Sequence, residues 1–180
     1  MLASSTHLLR LVNDLLDLEK VESGKLEFSP EEVDPVFALN VLRPLADAKI
    51  SVILKVDPQL RSLFTDPVRL KQVLYNYLSN AIKFTPEGGR VRITVSCENT
   101  GAFRLEVVDT GIGIEPEDIP RLFADFRQLE ATRKASSQGA GLGLALTKRI
   151  VEAQGGTVGV RSTLVPLSWN RCFFWQDIFR

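Results

Sequence analysis

Apolar positions recur at helical spacing from the start of the chain: Leu8, Leu11 with Val12, Leu15, Leu18 and Val21, closing at Gly24. This near-heptad seam predicts one long helix over residues 4–22. Such a helix buries little by itself. It packs either on a partner helix, which the heptad spacing favours, or on its own domain. From Lys25 the period shortens: Leu26 and Phe28 alternate as in a short strand, and a helix is expected over residues 36–48 after the polar stretch between Pro30 and Pro35. Residues 50–56 form a β-rich run closed by Asp57-Pro58.

Asp66-Pro67 is a strong helix start, with Asp as N-cap and Pro at the first helical position. The helix should run to Phe84 and stop before Pro86 and Gly88-Gly89. Val91, Ile93 and Val95 then point one way along a strand over residues 90–97, and Phe103, Leu105 and Val107 repeat the alternation after an Asn99-Thr100-Gly101 turn. That is a hairpin. A short helix is expected at residues 116–123, a polar, breaker-rich segment at 127–140, a helix at 142–154 ending at Gly155-Gly156, and a strand at 157–161. Helices interleaved with these strands predict an α+β fold, a two-layer sandwich with a sheet covered on one face.

The helix ending at Phe84 carries an unusual polar stripe. At ~100° per residue, Asn76, Asn80 and Lys83 lie within about 60° of one another, with Gln72 beside them and Leu70, Val73, Leu74, Tyr77 and Ala81 in the adjoining apolar sector. Asparagine is a mediocre helix former. Two of them one turn apart, followed by a Lys, suggest a ligand that takes amide oxygens and a positive charge. Gly139-Ala140-Gly141-Leu142-Gly143-Leu144 is a side-chain-poor loop leading into a helix, able to present backbone N–H groups to phosphate. With Asp109-Thr110-Gly111-Ile112-Gly113-Ile114 at the end of a strand, these pieces describe a nucleotide site.

Composition adds boundaries. The chain has 180 residues, enough for one sizeable core, and 44% apolar with 24% charged residues is ordinary for a globular protein. Twenty-two basic and twenty-two acidic residues cancel, which gives no electrostatic reason to expect nucleic-acid or membrane-surface binding. The two cysteines, Cys97 and Cys172, match no metal spacing, and reduced thiols in the cytoplasm are the expectation. No run approaches 18 apolar residues, so no membrane contact is expected of this segment, whether or not a larger parent is membrane-anchored.

In order and spacing these motifs resemble the catalytic, ATP-binding domain of sensor histidine kinases. Residues 76–83 resemble the N box, 109–114 the G1 box, 123–126 the F box and 139–144 the G2 box. Residues 1–24, with Leu15-Leu16-Asp17-Leu18 and Glu22-Ser23-Gly24, resemble the second helix of the family's dimerisation and phosphoacceptor hairpin. The resemblance implies a Bergerat-type sandwich with a mixed sheet over residues 25–163, preceded by that long helix, and leaves residues 164–180 as an atypical tail in which Cys172 to Trp175 would supply a closing strand. It further implies ATP and Mg²⁺ as ligands, a helix-bundle homodimer in the full-length protein, and a response regulator receiver domain as partner.

By that resemblance Asp109 accepts a hydrogen bond from the adenine amino group, and Gly111 and Gly113 let the backbone turn close to the base. Asn80 is the Mg²⁺ ligand, Asn76 and Lys83 bind phosphate oxygens, and Gly139, Gly141, Leu142 and Gly143 wrap the phosphates. Lys83 and Arg133, the latter beside Lys134 in the lid, are the candidate phosphate stabilisers, while Phe123 and Phe126 read as packing residues.

Three features depart from the pattern. The one histidine, His7, is followed by Leu8-Leu9-Arg10 and reads as a surface or packing residue, so the phosphoacceptor is expected to be missing. The fragment should then bind ATP without phosphorylating itself. Ala140 stands where the family usually has Thr, and the tail lacks the usual Gly-rich turn. Two other readings compete: a degenerate, non-catalytic kinase-like module, and a gyrase-type ATPase. The latter places a water-activating Glu one turn before the metal-binding Asn, where this chain has Asn76, which cannot deprotonate water.

Overall fold

A computed structural model describes residues 2–37, 41, 50–98, 102–124, 141–163 and 170–177. Helix α1 spans Leu2–Glu22 and ends through Gly24, whose φ of 64° lets the Lys25 N–H fold back onto the Lys20 carbonyl at 2.8 Å. Strands β1 (Glu31–Val33), β2 (Ser51–Val56) and β3 (Leu63–Thr65) follow, then α2 (Pro67–Phe84). The hairpin β4 (Arg90–Cys97) and β5 (Ala102–Asp109) precedes α3 (Gly143–Ala153), β6 (Thr157–Arg161) and β7 (Asn170–Asp177).

The main sheet has the order β2-β4-β5-β7-β6. It is mixed: β2 and β4 run parallel, and the other pairs are antiparallel. Val91, Ile93 and Val95 on β4 and Phe103, Leu105 and Val107 on β5 are buried, as the period-2 alternation requires. Over them lies the apolar stripe of α2, with Leu70, Val73, Leu74, Tyr77, Leu78 and Ala81 buried, and that of α3, with Leu146, Ile150 and Val151. Burying each such side chain is worth about 1.5–3 kcal/mol, so this layer is the main source of stability. The α+β sandwich is as the residue pattern predicts.

Helix α2 begins where Asp66-Pro67 requires. The Asp66 Oδ1 accepts from the Val68 and Arg69 N–H groups at 2.9 and 3.0 Å, and its Oδ2 accepts from Ser29 N–H at 2.9 Å, tying the segment after α1 to the helix start. Among the described side chains of α1, those of its C-terminal half dock on this layer. Leu18 is buried in the core, Asp17 accepts from Arg69 and from Gln72 of α2, and Arg149 of α3 pairs with Glu22. Further back, Leu8, Leu9, Val12, Leu15 and Leu16 are exposed. Docking on its own domain, one of the two packing modes open from the sequence, is thus met by the C-terminal half of the helix.

Some expected elements differ. The short strand lies at Glu31–Val33, not at Leu26 and Phe28, because its antiparallel partner is the distant Leu63–Thr65. Leu26 and Phe28 instead pack against the core from an extended segment without a ladder. The helix expected near Pro116 is a single 3₁₀ turn, Ile119–Arg121. Of the helix expected over 36–48, a 3₁₀ turn at Pro35–Phe37 and Val41 are described, and the rest lies outside the described residues, as does the segment 127–140. Residues of the atypical tail form β7, which lies between β5 and β6, with Leu105 opposite Phe174 and Val160 opposite Cys172.

Candidate functional site

Three separate stretches meet at α2. Asn76 and Asn80 are half-buried on its polar edge, and Lys83 is exposed near its end, with Nζ 5.1 Å from the centre of the Phe84 ring. Gln72, which shares the stripe by periodicity, is turned away and donates to Asp17 at 3.0 Å. It belongs to the α1 contact and not to the site.

The loop after β5 is pinned at the C-terminal end of α2. Asp109 Oδ1 accepts from Gly111 N–H at 2.8 Å, an Asx turn. Thr110 is buried; its N–H donates to the Arg90 carbonyl at 3.0 Å and its hydroxyl oxygen accepts from the Arg90 N–H at 2.9 Å. Ile112 N–H then donates to the Phe84 carbonyl at 3.2 Å. Gly111 sits so close to that carbonyl that a Cβ there would meet Phe84 O at 2.7 Å and Asp109 Oδ1 at 2.6 Å. Gly113 has φ 78°, and Ile114 N–H donates to Ser162 Oγ at 2.8 Å, fastening the far side of the loop to the end of β6. The Ile112 side chain is left exposed, and a depression runs between it and Lys83, Phe84, Thr85 and Pro86.

The glycine loop reaches α2 from the other side. Gly141 has φ 73°, Leu142 is buried, and Gly143 opens α3 against Asn76. Asn76 Nδ2 donates to the Gly143 carbonyl at 3.1 Å and to Thr147 Oγ1 at 3.3 Å. Leu142 at the N-cap supplies no side-chain bond to the first-turn N–H groups of α3. Asn80 makes no side-chain hydrogen bond among the described residues, which leaves its amide oxygen, a hard donor suited to Mg²⁺, without a partner there.

The structure therefore brings Asn76, Asn80, Lys83, Asp109, Gly111, Gly113, Gly141, Leu142 and Gly143 around one helix. Gly139, Arg133, Ala140, Phe126 and Lys134 lie outside the described residues, and Phe123 is half-buried beside them. Sequence reasoning did not single out Phe84 and Ile112 as walls, nor Thr147 and Ser162 as contacts. Phe84 directly follows the motif at residues 76–83 and Ile112 lies inside that at 109–114, so both were within reach. Thr147 and Ser162 carry no local signal, since each acts on a residue 71 or 48 positions away.

Residues 65–171 match the family described as histidine kinase-, DNA gyrase B-, and HSP90-like ATPase, which is more than half of the chain. The chain belongs to this ATPase family. Its relatives include proteins named as histidine kinases. The Non-motile and phage-resistance protein of Caulobacter vibrioides is 41% identical over 169 residues, covering 89% of this chain and 20% of that protein. Sensor histidine kinase GacS of Pseudomonas protegens is 39% identical over 171 residues, covering 89% and 18%. The chain thus spans about a fifth of the length of these relatives. Full-length ShkA, solved in complex with AMPPNP, superposes with a TM-score of 0.80 at 34% identity over 97% of this chain and 36% of that one. Within the family, the chain is similar to the ATP-binding catalytic domain of sensor histidine kinases. Among its described residues no helix is long and apolar enough to cross a membrane.

Proposed function

We propose that the chain binds Mg-ATP at the α2 site and delivers the γ-phosphoryl group to a histidine on a helical hairpin not complete in this chain. The observation that carries this reading is the meeting of Asp109, Asn80, Lys83 and the α3 N-terminus around a single helix. The Asp109 carboxylate, held in place by the bond it accepts from Gly111 N–H, is the acceptor for the adenine amino group. Phe84 and Ile112 offer apolar walls for the base. Lys83 offsets phosphate charge, and the first turn of α3 adds its N–H groups and dipole. Magnesium, when bound, would be held by Asn80 and would further neutralise the phosphate charge. The protein's share of catalysis is positioning and electrostatics.

Phosphoryl transfer is favoured over hydrolysis because position 76 is an amide. Both hydrogens of Asn76 Nδ2 face acceptors on α3, an environment that would repel a carboxylate base. The exposed Leu8, Leu9, Val12, Leu15 and Leu16 fit α1 as part of a dimeric helix bundle in the complete, cytoplasmic kinase module. A response regulator receiver domain is the onward acceptor. The test supplies a separate, intact helical hairpin together with the chain, ATP and Mg²⁺. An acid-labile phosphohistidine on the hairpin is expected. Steady release of inorganic phosphate without it would contradict the proposal.

A further inference from the structure

We propose that Thr147, a fully buried hydroxyl outside all four sequence boxes, is a positioning residue that makes Asn76 meet the nucleotide complex through its carbonyl oxygen. The inference rests on the Mg-ATP reading and refines one role in it. An Asn side chain has two N–H donors and one acceptor oxygen. Asn76 spends both donors on α3, one on the Gly143 carbonyl and one on Thr147 Oγ1. No N–H remains for a phosphate oxygen.

The terminal torsion of Asn is soft, so one bond would leave the amide plane free to rock. Two acceptors one helical turn apart fix it. Reversing the amide would set Oδ1 against the Gly143 carbonyl oxygen, a repulsive contact. Meanwhile Gly143 has no side chain to cover the oxygen: a Cβ there would stand 3.3 Å from Asn76 Oδ1 and Cγ. The group left for a ligand is an amide oxygen one turn before Asn80, which suits a cation or its bound water rather than a phosphate. Thr147 is 0% exposed, so its hydroxyl acts on the site only through Asn76.

The test is calorimetric titration of the full 180-residue chain with a non-hydrolysable ATP analogue, once with Mg²⁺ and once with EDTA. Thr147→Val should weaken binding about fivefold with Mg²⁺ and leave it within about twofold in EDTA, the scale of one well-placed hydrogen bond. Thr147→Ser should restore wild-type behaviour. In an Asn76→Ala background, Thr147→Val should have no further effect, whereas a purely packing role would add to it. Thr147→Ala serves as a second variant should the valine chain not fold, with the same Mg²⁺-selective loss expected. Equal losses with and without Mg²⁺, or an unchanged Thr147→Val, overturn the positioning role while wild-type binding stands. Absence of wild-type binding overturns the nucleotide reading itself.

Discussion

Gly111→Ala is the sharpest perturbation of the site's construction. The added Cβ would stand 2.7 Å from Phe84 O and 2.6 Å from Asp109 Oδ1, well inside contact distance, and the carbonyl belongs to helical backbone that cannot swing away. Overpacking of this kind costs about 1–3 kcal/mol. If the loop lifts to relieve the clash, the bond from Ile112 N–H to Phe84 O is lost, worth about another 1 kcal/mol. At about 2–4 °C per kcal/mol for a chain of this size, the melting temperature should fall by roughly 5–15 °C. Lifting the loop also displaces Asp109 and Ile112 together, so nucleotide affinity should drop more than tenfold, with the scale set by loss of a hydrogen bond to a charged group. Differential scanning calorimetry and analogue titration on the same preparation give both numbers. A variant that melts within 1 °C of wild type, ~0.3–0.5 kcal/mol by the same conversion, and binds equally well would refute the close approach of this loop to α2.

Two further predictions concern what holds α2 and α1. Asp66→Ala removes the cap of α2 and the acceptor for Ser29 N–H, so chemical denaturation should show a loss of about 1–2 kcal/mol, and Asp66→Asn should recover part of it. The Asp17–Arg69 pair is 2.9 Å long with both side chains less than one-fifth exposed, and a double-mutant cycle of Asp17→Asn and Arg69→Gln should give a coupling of about 0.5–1 kcal/mol that shrinks in high salt. Zero coupling would mean that this ion pair adds nothing to the docking of α1, leaving it to Leu18 and the other contacts.

Helix α2 was legible in full because its signals are local: a capping Asp, a Pro at the first turn, an apolar stripe of period 3.6 and a Pro-Gly stop. The β4–β5 hairpin was legible for the same reason. What escaped the sequence depends on partners far along the chain. Leu63–Thr65 is three residues long and becomes a strand only by pairing with Glu31–Val33. Leu26 and Phe28 alternate as a strand does, yet an extended segment packed on a core shows the same alternation without any ladder. The strand character of Cys172 to Trp175 was readable, but its place between β5 and β6 was not.

The site divides in the same way. Asn80, Lys83 and Asp109 were legible as candidates, from residue type and spacing together with the family resemblance. The direction of each amide was not. Gln72 and Asn76 share one stripe, one turn apart, yet one reaches back to Asp17 and the other is clamped to α3. Only the packing of α1 and α3 against α2 separates them.

The central claim is that this arrangement binds Mg-ATP, and calorimetric titration of the wild-type chain and of Asp109→Asn with a non-hydrolysable ATP analogue and Mg²⁺ tests it most directly. The account predicts saturable binding of one nucleotide per chain, weakened about tenfold or more in Asp109→Asn, the scale of a hydrogen bond to a charged group. No heat of binding at millimolar nucleotide (weaker than about −4 kcal/mol), or equal affinity for the two chains, would contradict it.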